Sequence, residues 1–192
     1  MNNCQLSMNN EKDFMRRGNK IILIGYRCTG KTSLGQRLAE RLGIPFIDTD
    51  KLVEAATGKT IKAMIEEGGW DFFRQREKEA IRNLTSLGKS VIATGGGAVL
   101  DEENAAILKK EGPLIWLVAD EETILKRMLA DAATVAQRPP LSTHALQKEI
   151  NATLATRTPI YRRLADFSID TAVAGIDDSV GKILLLLHDH RG

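Results

Sequence analysis

Only two cysteines, Cys4 and Cys28, occur in the 192 residues, too few and too ill-placed for a disulfide framework. A reducing cytoplasm is the expected compartment. No apolar run approaches the roughly 20 residues of a membrane span, and MNNCQLSMNNEKDFMRRGN at the start lacks the apolar centre of a secretion signal. Residues 1–19 are therefore expected to form a flexible, polar extension. Neither sign of charge dominates: 27 basic and 25 acidic residues leave a net +2, so nothing pulls the whole chain toward nucleic acid or membrane. The chain lacks a basic stripe for nucleic acid, an N-K-x-D motif for guanine, internal repeats and low-complexity tracts. A hydrophobic share of 43% is that of an ordinary globular protein, and the length suits one domain, expected over 20–192.

Against this plain background stands GYRCTGKT, Gly25 to Thr32. It follows the apolar run IILI and leads into SLGQRLAERLG, which has amphipathic helical spacing. The pattern G-x-x-x-x-G-K-[ST] between strand and helix is that of a phosphate-binding loop. Glycines at both ends let the backbone curl its N–H groups around an anion, and the helix N-terminus adds its dipole. Lys31 would reach the terminal phosphates, and the Thr32 hydroxyl would take one position on Mg2+. The loop residues Gly25, Arg27, Cys28, Thr29, Gly30, Lys31, Thr32 and Ser33 are the candidate ATP contacts. Cys28 is either a small filler or an oxidation-sensitive thiol.

Strand-length apolar runs alternate with helical patterns along the chain: KIILI, IPFIDTD, SVIAT, PLIWLV and ADFSIDT are read as strands. The helical region from about Lys51 to Leu87 is broken near Gly58 and at Gly68-Gly69, and LLLL in the closing helix reads as core. This predicts an α/β fold of three layers, with a central parallel sheet of about five strands, helices on both faces and ligands at the carboxyl ends of the strands.

The candidate polar residues fall at those ends. In a strand Asp48 and Asp50 face the same way, so one can organise the metal while the other orients or deprotonates a hydroxyl; alternatively Asp50 caps a helix. Arg74 in WDFFRQRE offers a planar fork for a carboxylate, with Phe72 or Phe73 as a wall, or else simply pairs with Glu77. Three glycines, Gly95 to Gly97, suggest close backbone approach to a ligand, or an open loop. Arg138 in QRPPLS lies in the longest aperiodic stretch, where a lid is expected at about 131–145, or is a solvated arginine in a turn. Arg157, Arg162 and Arg163 include at least two residues of a charged helix face.

The ordered series GYRCTGKT, DTD, FFRQRE, TGGG, RPPL and RTPIY resembles the shikimate kinase family from about Lys20 to Ser179. The resemblance implies a P-loop kinase that passes the γ-phosphoryl group of ATP to the 3-hydroxyl of shikimate, with Mg2+ as cofactor, in chorismate biosynthesis. It implies that Asp50 holds the shikimate hydroxyls and favours proton loss, and that Asp48 and Thr32 organise the metal. Arg74 and Arg157 would grip the substrate carboxylate, Gly96 and Gly97 would offer backbone groups to the hydroxyls, and Arg138 would close from the lid. Arg127 is a candidate for a second arginine near the adenine. The chain departs from the usual pattern at Pro140 (RPPL for RPLL), at Gly69-Trp70 (for Gly-Glu) and at Cys28. A gluconate-type kinase and a silent nucleotide-binding module are the other readings; a monomer is expected.

Overall fold

Residues Lys20–Ile24 form β1, buried along its whole length. The computed structural model describes residues 18–131 and 143–189; Arg138, Pro140, most of the expected lid and all but the last two residues of the expected extension lie outside them. Burying each of the four aliphatic side chains of β1 contributes about 1.5–3 kcal/mol, so this strand anchors the sheet. Lys20, also buried, pairs its ammonium with Glu111 and so ties the start of β1 to a neighbouring helix.

The remaining strands are β2 (Phe46–Asp48), β3 (Ser90–Ala93), β4 (Leu114–Val118) and β5 (Phe167–Asp170). All pairings are parallel, in the order β2-β3-β1-β4-β5. Seven α-helices are present among the described residues: α1 (Lys31–Leu42), α2 (Thr49–Thr57), α3 (Ile61–Asn83), α4 (Glu102–Glu111), α5 (Glu121–Ala130), α6 (Thr143–Leu164) and α7 (Ile176–Asp189). None is long and apolar enough to cross a membrane.

Alternation along β1 sends Ile21 and Leu23 to one face, where they pack with Leu34 and Leu38 of α1 and Val180 and Ile183 of α7. Ile22 and Ile24 face the other way, toward Ile81 of α3, Leu108 of α4, Ile124 of α5 and Ile150 of α6. The helix after β1 thus covers one face and the helix after the adjacent β3 the other. A crevice opens where such neighbours diverge, at their carboxyl ends.

Two local readings are corrected. The strand in IPFIDTD ends at Asp48, whose carboxylate Oδ1 accepts the backbone N–H groups of Asp50 (3.0 Å) and Lys51 (3.4 Å) and caps α2. Asp50 therefore lies in the first helical turn, and strand alternation does not align the two carboxylates. In LLLL, Leu184, Leu186 and Leu187 pack against the core, but Leu185 is 65% exposed. The breaks at Gly58 and Gly69 occur as expected: Gly58 ends α2 in the left-handed region, and Gly69 (φ 72°, ψ −175°) interrupts α3.

Candidate active site

The loop between β1 and α1 bends through three positive-φ residues: Gly25 (φ 140°), Cys28 (58°) and Gly30 (90°). Gly25 has no room for a side chain, because a Cβ there would stand 2.6 Å from the Leu117 carbonyl. Cys28 holds the same region without being glycine, a conformation that costs a non-glycine residue about 1–2 kcal/mol. Thr29 is buried, and its hydroxyl donates to the Tyr26 carbonyl at 2.7 Å. Lys31 is buried as well and donates to the carbonyls of Gly25 (2.9 Å) and Tyr26 (2.7 Å); burial lowers its pKa to about 8.

Thr32 and Asp48 meet at the crevice, the hydroxyl donating to Oδ2 at 3.1 Å while Oδ1 serves the α2 cap. Capping and a place beside the phosphate loop therefore coexist in Asp48. Asp50 is held at a raised pKa of about 6 by burial first, then by Asp48 and Glu77, against the pull of Lys31 and Arg74.

The glycine loop after β3 is shaped by charged side chains packed against it. A Cβ at Gly95 would stand 2.6 Å from Asp50 Oδ1 and 2.8 Å from Glu77 Oε1, and one at Gly97 would stand 2.4 Å from Arg74 Nη2. The Gly95 N–H donates to Thr49 Oγ1 at 2.9 Å, tying this loop to the start of α2. The Gly96 carbonyl accepts from Arg157 Nη1 (3.2 Å) and from the Tyr161 hydroxyl.

Arg74 satisfies both readings of its sequence. It pairs with the buried Glu77 and also lines a cavity of about 200 Å³ with Asp50, Phe73, Trp70, the three glycines and Arg157. Phe73 forms the expected wall; Phe72 packs between α2 and α3 instead. Arg157 turns toward this cavity, whereas Arg162 and Arg163 are exposed on α6. Arg27 lines the cavity too, donating to Glu149 of α6 at 2.8 Å.

A second cavity, of about 310 Å³, lies on the other side of the phosphate loop among Cys28, Ser33, Arg127, Thr171 and Ser179. Arg127 donates there to the carbonyls of Cys28 (3.3 Å) and Thr171 (2.5 Å). The sequence did not mark Glu149 or Thr171 as cavity residues, nor Tyr161, which is buried and donates to the Gly96 carbonyl. Their contacts span 65 to 142 residues, beyond the reach of any local periodicity.

The family model for shikimate kinase matches residues 27–188. A shikimate kinase of Syntrophus aciditrophicus is 48% identical over 179 residues, covering 89% of this chain and 92% of that protein. The chain belongs to the shikimate kinase family. Among solved structures, the shikimate kinase of Acinetobacter baumannii in complex with shikimate superposes with a TM-score of 0.84 at 34% identity, covering 96% of this chain and 98% of the other. A gluconokinase of Sinorhizobium meliloti shares the fold alone, with a TM-score of 0.56 at 17% identity, covering 92% and 95%. The fold is thus the α/β P-loop kinase fold of shikimate kinases, and the chain is an ATP-dependent kinase.

Proposed function

We propose that this shikimate kinase family member transfers the γ-phosphoryl group of ATP to the 3-hydroxyl of shikimate through the residues of the β1–β3 crevice. The observation that carries the reading is the 200 Å³ cavity, which two guanidinium groups, Arg74 and Arg157, line together with Asp50 and the phosphate-loop residue Arg27. Cationic forks, a carboxylate and glycine backbone in so small a space suit a small hydroxylated carboxylic acid. Arg74 and Arg157 hold the acceptor carboxylate, and Asp50 and the Gly95–Gly97 backbone hold its hydroxyls.

The acceptor oxygen attacks the γ-phosphorus, the bond from that phosphorus to the β–γ bridging oxygen breaks, and ADP leaves. Asp50 takes the acceptor proton; a carboxyl lifted to about 6 remains ionised at neutral pH yet is more basic than an ordinary aspartate. Charge in the transition state spreads over the equatorial phosphoryl oxygens, so positioned cations do most of the work. Lys31 supplies one such cation, and the loop backbone from Gly25 to Ser33 cradles the remaining phosphates.

The Thr32 hydroxyl and Asp48 carboxylate, 3.1 Å apart, are hard oxygen donors of the kind magnesium takes, and these two would hold it. Bound there, magnesium would supply positive charge that offsets the charge of the nucleotide phosphates. The roughly 310 Å³ cavity lined by Gly30, Ser33 and Arg127 adjoins the phosphate loop and would take the nucleoside. Arg138 lies outside the described residues, and its closing from a lid at about 131–145 rests on the family resemblance.

Product analysis tests this reading. After incubation with Mg-ATP and shikimate, phosphorus NMR should show one new phosphomonoester coupled to the proton at carbon 3. A phosphoester on another hydroxyl, or none, would contradict it.

A further inference from the structure

A single exposed tryptophan needs no explanation by itself, because apolar atoms make up much of any protein surface. Trp70, 54% exposed, is not isolated. It lines the 200 Å³ cavity, and its ring lies 5.5 Å from the Arg74 guanidinium carbon. Phe73 presents a second ring to the same guanidinium at 5.1 Å, and the two rings meet edge to face at 6.1 Å between centroids.

The backbone arranges this contact. Gly69 interrupts α3 one residue earlier with φ 72°, so the direction of the Trp70 side chain is set at that break and not by the preceding turns. No atom stands within 4 Å of a Cβ built on Gly69, so packing does not demand glycine there; the backbone angle does. Arg74 is thereby held from three directions: by the Glu77 carboxylate on Nη1, by the close approach of Gly97 to Nη2, and by the Trp70 and Phe73 rings. Glu77 and Phe73 are buried, so Trp70 is the member of this clamp that reaches the cavity mouth.

We propose that Trp70 is a positioning and specificity residue for the acceptor: its ring fixes the Arg74 fork for the substrate carboxylate and covers the mouth of the cavity over the bound acid. This rests on the assignment of Arg74 to the acceptor carboxylate. A cation over an aromatic face gains most where water is excluded, so seating the acid strengthens the clamp. The class of ligand selected is a small cyclic carboxylic acid whose ring can lie against an indole.

The test uses the whole chain and the variants Trp70→Ala and Trp70→Phe. Trp70→Ala should raise the KM for shikimate about 3- to 30-fold, the range of a cation–aromatic contact from exposed to desolvated. It should leave the KM for ATP and kcat at saturation within about 2-fold, and Trp70→Phe should recover most of the loss. A purely structural role would move both KM values together or neither, and either result overturns the proposal. A second readout does not need turnover. The sequence has two tryptophans, so a Trp116→Phe chain leaves Trp70 as its sole indole emitter. Shikimate should change its emission saturably, and an unchanged spectrum in a chain that binds shikimate by calorimetry would also overturn the proposal. Wild-type protein without shikimate-dependent turnover would contradict the proposed reaction, while the emission titration would still decide the role of Trp70.

Discussion

Asp50 sits where its charge is costly and useful at once. Burial, Asp48 and Glu77 lift its pKa from 3.8 to about 6, more than Lys31 and Arg74 lower it. In the unfolded chain the group titrates near its ordinary value, so the folded protein binds the extra proton between about pH 4 and 6. The stability from this site is complete below about pH 4 and is lost as pH rises through about 6. Asp50→Asn removes the titration. In metal-free buffer at pH 7.5 the variant should melt about 2 °C or more above wild type, the scale for each kcal/mol in a chain of this size, with the gain gone at pH 4. Turnover should fall about 10²–10⁴-fold, the share of a positioned base, with ATP binding intact. Near-normal turnover, or a variant less stable at pH 7.5, would refute this assignment. Lys31 has the opposite shift, to about 8, because burial disfavours its ammonium. The kcat/KM for Mg-ATP, which reports the free enzyme, should therefore decline above about pH 8. An unchanged value up to pH 10 would show that the Lys31 charge is not needed at that step.

At the scale of elements, the site is made by junctions: β1 into α1, β2 into α2, and β3 into the glycine loop. The sequence states the first openly, since the phosphate loop combines a fixed glycine spacing with a strand before it and a helix after it. The second was legible in composition but not in geometry. IDTD looks like a continued strand, yet Asp48 caps α2 and turns Asp50 into its first turn; no loop residue separates the two elements to signal the change. For the third, TGGG suggested close approach to a ligand or an open loop, whereas the groups packed closest to it are the protein's own side chains. The space a side chain would fill at Gly95 and Gly97 is taken by Asp50, Glu77 and Arg74, carried on α2 and α3. Gly97→Ala would push a Cβ to 2.4 Å from Arg74 Nη2, the movable end of a long side chain, so the fold should survive while the fork shifts. The KM for shikimate should rise about 10- to 100-fold, the effect of misplacing a binding group by roughly 1 Å, with the KM for ATP little changed. Equal losses for both substrates would place Arg74 outside the acceptor site.

Across the whole molecule, the order β2-β3-β1-β4-β5 sends the helix after β1 to one face and the helix after β3 to the other. That divergence places the phosphate loop and glycine loop side by side. Alternating periodicities were enough to read the class of fold and all five strands, because each strand is a short apolar run between turn signals. The strand order was not legible, nor were the α6 contacts of Glu149 with Arg27 and of Tyr161 with Gly96, since pairing over such separations is decided by packing; Arg157 was reached only through the family resemblance. Reading the acceptor needed the motifs together: a phosphate loop is compatible with many kinases, whereas two guanidinium groups and a carboxylate lining one small cavity restrict the choice. The acceptor is therefore what distinguishes this kinase from others with the same loop. The most direct test is the initial rate of ADP release from Mg-ATP by the purified protein with shikimate, with gluconate, with other small hydroxylated acids and with no acceptor. The rate should depend strongly on shikimate and stay near background otherwise. Turnover dependent on another acid, or ATP binding without acceptor-dependent turnover, would contradict it.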